Sequence, residues 1–412
     1  MIKSVPILFA MVALPLLVGG CEASTAAVTG PVESNSSPVA PLARVLFRNV
    51  GGHVVVPVSV NGSRNLDMVL DTGMSAPIVM LLHRELQDEV GLGGGEPTLI
   101  GGAGGGQPKQ GKVFSGVRVS IGGFEQPDQT VIVMDESRKD STWTMDGVIG
   151  KSIFDRYLVE IDFERSVLFL HEPAASDRFS MASLPLSLRM GIPTVEGRIE
   201  AGGGKEIPIG LVLDLGARHA LSLNVDAEKG ILPPEKTITG VIGKGILGEI
   251  EGRIGRTRGL RLGPFEFRDV ITSFTTRQTG TTCSAEGLPA EGNLGVEVLS
   301  RFRVVVDYPH QRLLLSPNAR YARPFEYNMA GLSLEQQQDG SYLVRSVLAD
   351  SPGTDSGIRR GDRIVGIAGR DSGHYSYTEG SDRFRRNGRS LKVSVERNGE
   401  RFERTLALRR LI

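Results

Sequence analysis

The feature that most limits what this chain can fold into is that its middle contains itself twice. VVVPVSVNGSRNLDMVLDTGMSAPIV at 54–79 has a counterpart in TVEGRIEAGGGKEIPIGLVLDLGARHALSL at 194–223. TLIGGAGGG at 98 answers TITGVIGKG at 237, and GVRVSIGGFE at 116 answers GLRLGPFEF at 259. MDGVIGKSIFDRYLVEIDFERSVLFL at 145 answers EGNLGVEVLSRFRVVVDYPHQRLLL at 291. The four pairs keep their order and start 139 to 146 residues apart, which chance does not produce. The chain therefore carries two copies of one unit of about 130 residues, joined near residues 173 to 190.

The unit is a β unit. Its apolar runs are short and alternate with turn residues, aromatics are few, and the 53 glycines favour a turn-rich β architecture over helices. Lys plus Arg equals Asp plus Glu at 47 each, so net charge argues for neither nucleic acid nor an acidic partner.

In both copies a hydrophobic strand stops on an acid followed by a turn: Asp71-Thr72-Gly73 and Asp214-Leu215-Gly216. A charge at the end of a buried strand is costly unless it is paired, hydrogen-bonded or used. Each copy also ends in a hydrophobic segment closed by glycine, Val148-Ile149-Gly150 and Asn293-Leu294-Gly295, the second having lost one apolar position. On these residues, over roughly 44 to 318, the chain resembles the aspartic proteases, specifically the bacterial retropepsin-like group. The resemblance implies two pseudo-symmetric β lobes, residues 44–172 and 184–318, with Asp71 and Asp214 face to face in a cleft.

Two carboxylates that share one proton can take a proton from water and give one to a peptide carbonyl, because like charges a few Å apart resist joint ionisation. Asp71 and Asp214 are the expected catalytic residues, supported by Thr72, Gly73 and Gly216. Which acid acts as base is open. Gly101, Gly102, Ala103 and Gly104 fall where the family has its flap, a hairpin that closes over bound peptide. Two departures stand out. Leu215 replaces a Thr or Ser whose hydroxyl bonds across the lobes in the family, and Arg218 follows where a guanidinium near Asp214 would favour its charged form. Asp162 and Asp307, also repeat-equivalent, read as turn starters. Neither paired histidine ligand spacing nor HExxH occurs, and the reading calls for no metal and no cofactor.

The segment 329–369, with strand-like runs after it, resembles a PDZ domain of the type attached to bacterial periplasmic proteases, over about residues 327–410. Its motifs are Gly331-Leu332-Ser333-Leu334, Ser351-Pro352 to Gly357-Ile358, and Gly361-Asp362-Arg363-Ile364. The resemblance implies that a peptide adds as a strand, its terminal carboxylate held by the amides of Ala330, Gly331 and Leu332.

At the N-terminus Lys3 precedes an apolar stretch too short for an ordinary membrane span, so residues 1–20 read as an export signal. Val18-Gly19-Gly20-Cys21 resembles a bacterial lipobox, which implies lipidation at Cys21, a membrane anchor on the periplasmic side and, with Glu22 next, the outer membrane. Residues 21–43 are small, polar and Pro-containing, a flexible tether. Cys283 has no internal partner for a disulfide once Cys21 is lipidated.

The expected function is an exported aspartic endopeptidase with polypeptide substrates and a PDZ module that recruits or regulates. Two alternatives stay open: an inactive peptide-binding scaffold of the same fold, marked by Leu215, and a protease active only as a homodimer through Asp71 of each chain.

Overall fold

The two repeats build the same sheet in the same order. In the first, His53–Val60 pairs with Leu66–Leu70, which runs parallel to Gly147–Ile149. Ile78–Leu81, Phe124–Met134, Lys109–Ile121 and Glu96–Ile100 follow in that order, and Lys109–Ile121 also closes back onto His53–Val60. In the second repeat the order is Ile192–Glu200, Glu206–Leu213, Gly292–Leu294, Leu221–Asn224, Phe265–Thr275, Gly248–Leu262 and Ile238–Gly245. It closes by the equivalent pairing of Ile192–Glu200 with Gly248–Leu262. The computed structural model describes residues 40–141, 143–200, 204–275, 290–337 and 339–412. The leader, Cys21, most of the tether and Cys283 lie outside them.

Alternation explains why these runs become strands. In HVVVPVSV, Val54, Val56, Val58 and Val60 point into the core and are at most 1% exposed. A one-residue slip would take all four out of this core and onto the opposite face, so the register is fixed by burial.

A second set of strands ties the repeats together. The hairpin Leu158–Asp162/Val167–His171 of the first meets the hairpin Phe302–Asp307/Arg312–Pro317 of the second, with Val159 opposite Val306 and Ile161 opposite Val304. Ala43–Leu46 and Ala182–Arg189 flank this antiparallel layer on its two sides. The repeat-equivalent acids shape its turns. Asp162 Oδ1 accepts from the Glu164 and Arg165 amides, and buried Asp307 accepts from the His310 amide and ring.

Phe302, fully buried, sits among Phe265, Phe267 and Tyr321 at ring-centroid distances of 4.8, 5.9 and 5.5 Å. Phe302→Ala should lower unfolding stability by ~3–5 kcal/mol, from lost transfer energy plus a residual cavity. Chemical denaturation would register this as an earlier midpoint, and an unchanged midpoint would disprove the packing argument.

The C-terminal region forms its own sheet in the order Leu332–Gln336, Tyr342–Val347, Arg363–Ile367, Ser390–Arg397 and Glu400–Ala407. The helix Tyr377–Arg383 begins with a capping box, Ser376 and Glu379 bonding reciprocally, and packs over fully buried Tyr342. A Cβ on Gly380 would lie 2.2 Å from the Tyr342 hydroxyl, so any larger residue at this helix position would have to displace the buried tyrosine. The connection into this sheet is clamped. Arg301 stacks on Phe325 at 3.6 Å, and Arg256 donates to the Phe325 carbonyl and pairs with Glu326. By their contacts, residues 40–412 form one unit.

Candidate functional site

Each acid sits where its strand leaves the sheet, held by the glycine-closed segment of its own repeat. The Asp71 amide donates to the Ile149 carbonyl at 2.9 Å, and the Asp214 amide to the Leu294 carbonyl at 3.0 Å. The segments come so close that no side chain fits. A Cβ on Gly150 would lie 1.8 Å from the Asp71 carbonyl oxygen, and one on Gly295 2.1 Å from that of His219.

From these positions the carboxyl groups cross to the opposite repeat. The place a Cβ of Gly73 would take is 3.1 Å from Asp71 Oδ1 and 3.2 Å from Asp214 Oδ1. Across the pseudo-axis, a Cβ on Gly216 would fall 2.5 Å from Asp71 Cγ. The two glycines thus leave the space that the two acids fill, and both acids come from one chain. The Gly73 amide donates to Asp71 Oδ1 at 2.6 Å.

Burial raises both carboxyls above their ordinary range. For Asp71 it outweighs the amides of Gly73 and Gly216, which favour the charged form. For Asp214 burial comes first and the charge of Asp71 second, against the Asn293 side chain and the Gly216 and Ala217 amides. A pair like this holds a proton at a pH where a lone aspartate would have lost it.

Thr72 braces the pair from one side. Its hydroxyl donates to the Leu213 carbonyl at 2.5 Å and accepts from the Leu215 amide at 2.9 Å, both across the interface between repeats. Leu215, fully buried, has no hydroxyl to return the brace. The expectation for Arg218 needs correcting. Its exposed guanidinium turns to the Gly51 carbonyl at 3.0 Å, and its charge acts on His53 and His219. Both histidines are kept neutral by burial first and Arg218 second, pushed down to about 3 and about 4.

Gly101, Gly102, Ala103 and Gly104 form the loop between Glu96–Ile100 and Lys109–Ile121. They do not stand alone. The hairpin tip of the second repeat, between Ile238–Gly245 and Gly248–Leu262, meets them: Gly106 donates to the Leu247 carbonyl and Leu247 to the Ala103 carbonyl, each at 2.9 Å. Cβ atoms on Gly106 and Gly245 would lie 2.2 and 2.1 Å from the facing carbonyl oxygens. Ile246 packs into the apolar cluster of Met80, Leu82, Ile100 and Met134. TITGVIGKG, the repeat counterpart of TLIGGAGGG, carries this second tip in the sequence, a role that its glycines alone do not announce. Gly245→Val should separate the tips. Hydrogen exchange at the Gly106 and Leu247 amides should then rise about 5- to 10-fold, as expected for losing roughly 1 kcal/mol of hydrogen bonding. Unchanged protection would show that the tips do not depend on each other.

Residues 56–153 match a family model described as Aspartyl protease. That span covers most of the first repeat, including Asp71. No curated protein matches the chain. Among solved structures, the aspartic proteinase from Irpex lacteus is similar to it, with 13% identity and a TM-score of 0.45 over 68% of this chain and 98% of that one.

In the C-terminal sheet, Ala330, Gly331 and Leu332 precede and open an edge strand, but they are buried. The Ala330 amide already donates to Asn328 Oδ1 at 2.9 Å and the Gly331 amide to the Asn328 carbonyl at 3.4 Å. Two of the three amides expected to receive a terminal carboxylate are therefore engaged within the chain. A Cβ on Gly331 would sit 3.3 Å from Leu411 Cδ1, so the C-terminal residues also lie against this loop. The same sheet touches the second hairpin. A Cβ on Gly240 would lie 3.8 Å from Leu348 Cδ2, and Lys244, over the Trp143 ring at 4.3 Å, faces Glu335 and Arg345.

Proposed function

We propose that the protein is an aspartic endopeptidase acting on exported polypeptides. The observation that carries this reading is the meeting of the Asp71 and Asp214 carboxyls at Gly73, both with raised proton affinity. Together they hold one proton. The charged member takes a proton from water as it attacks the peptide carbonyl, and the protonated member gives one to the carbonyl oxygen. Thr72 keeps the pair aligned. Gly73 and Gly216 leave room for it. The hairpin tips at 101–106 and 245–248 part to admit the substrate and close behind it.

The C-terminal sheet works as a PDZ module that takes a peptide end along the edge strand Leu332–Gln336. Binding there requires the Ala330 and Gly331 amides to leave Asn328. Residues 1–20 direct export, and a lipid on Cys21 with the tether to residue 43 holds the enzyme on the periplasmic side of the membrane.

The test is to purify the chain from residue 40 onward and incubate it with an unfolded polypeptide. Cleavage that vanishes with Asp71→Asn supports the reading, whereas cleavage that persists in the variant assigns the activity elsewhere. Peptide binding without turnover at any pH would favour the scaffold reading, for which Leu215 is the specific residue.

A further inference from the structure

Beyond the Thr72–Leu215 difference, the two halves of the site differ at a second position, in the glycine-closed segment of each repeat. Where the first repeat has Val148, the second has Asn293, which is 1% exposed on the strand Gly292–Leu294. Its side-chain Nδ2 donates to Asp214 Oδ2 at 2.7 Å. Its Oδ1 is buried and meets no donor among the described residues. An amide buried with one end unsatisfied is costly, and a valine in its place would avoid that cost. The cost is incurred where the carboxamide reaches the acid.

The asparagine is itself held in place. It pairs with Val212 on one side and Ser222 on the other, and the His219 ring hydrogen-bonds its backbone. Among the described residues Asp71 meets no side-chain donor of this kind; the amides of Gly73 and Gly216 serve it instead. The contrast follows the other asymmetry of the site. The brace from Thr72 runs one way across the interface, and Leu215 cannot answer it.

We propose that Asn293 is a positioning residue of the acid pair, fixing Asp214 by a side-chain hydrogen bond within the repeat whose own turn residue, Leu215, carries no hydroxyl. The inference rests on the dyad reading of Asp71 and Asp214. A donor to a carboxylate oxygen orients the group and favours its charged form, so Asn293 helps the pair settle with one proton and one charge. The other groups facing Asp214 are Asp71 from the first repeat and Tyr308 from the turn after Phe302–Asp307, which senses both acids. His219 and Arg218 follow Asp214 on its own turn, and His53 reaches the Gly216 backbone. The Asn293 variants keep all of these groups, and Asp71 is replaced only in the variant that identifies the signals.

The experiment follows the pair's titration by 13C NMR of labelled aspartate carboxyls in the chain from residue 40 onward, with Asp71→Asn and Asp214→Asn identifying the signals. Asn293→Leu removes the donor and nearly keeps the shape. One of the two transitions should move up by about one to two pH units, the size expected for losing a hydrogen bond to a charged group. The acid or alkaline limb of kcat/KM should move with it while KM changes little. Asn293→Ala, smaller and also without a donor, should shift the same transition the same way and serves if the leucine variant does not fold. A folded variant whose two transitions both stay within about 0.3 pH unit overturns the proposal, since a purely structural role moves stability and not titration. The dyad reading fails separately: wild-type cleavage would then be absent, or indifferent to Asp71→Asn, whatever the titration shows.

Discussion

Asp71→Asn should reduce cleavage of an unfolded polypeptide by about 10³-fold or more, and Asp214→Asn by a similar factor. An amide can neither take a proton from water nor hand one to the carbonyl oxygen, and general acid–base assistance alone is typically worth about 10²–10⁴-fold. The losses should match because the acids act as one unit. Each carboxyl sits against the glycine of the other repeat, and the proton they share belongs to the pair. The double variant should then lose little beyond either single one. The comparison also separates the alternatives. Loss confined to Asp71→Asn would mean that Asp214 takes no part, which would favour a site completed by a second chain. Asparagine is close to aspartate in shape, so both variants should fold, and circular dichroism would check it.

The second large effect is on pH. Both carboxyls are raised from the ordinary value of 3.8, chiefly by burial. A raised acid binds its proton more tightly folded than unfolded. Its contribution to stability is therefore fully present below the ordinary carboxyl range and is lost as pH rises through the folded values. At pH 8 wild type carries two crowded charges that it does not carry at pH 3. Asp214→Asn should raise Tm relative to wild type at pH 8 and leave it nearly unchanged at pH 3. Equal differences at the two pH values would contradict a buried, proton-sharing pair.

Taking the difference matters because other acids pull the opposite way. Burial works against the charge of Asp146, but the Asp67 amide, Arg138 and Arg64 overcome it and hold its carboxyl low. Glu160 behaves likewise through His171 and Arg303, as does Asp362 through Arg397 and the Arg359 amide. These acids stabilise the fold above their unfolded pKa values and cease to do so as pH falls, so acid unfolding of wild type reports mainly on them. Activity should follow the pair instead. Its alkaline limb should lie above the range of an ordinary carboxyl group, because that limb marks loss of the shared proton.

Much of this arrangement is written along the chain. The repeat was legible because a duplicated unit must bury the same face twice: the leucines before Asp71 and Asp214 and the glycine-closed segments ending in Gly150 and Gly295 return at nearly the same spacing. The mainly β class follows from the same alternation. Gly150 and Gly295 could be picked out because each ends a hydrophobic run, although the reason for glycine, a backbone oxygen within 2.2 Å of any Cβ, exists only once the strands cross.

Other features depend on which surfaces meet in space. Residue order already specifies two like units, an acid at the end of one strand in each, and a third sheet after them, since periodicity and turn chemistry are local properties of the chain. Folding in three dimensions is what makes the hairpin tips pair, turns Arg218 to Gly51, engages the Ala330 and Gly331 amides with Asn328, and brings Asn293 to Asp214. Each of these is a directional contact between residues distant in sequence or turned by their backbone. Its energy depends on tenths of an ångström and on orientation, and residue order alone carries neither.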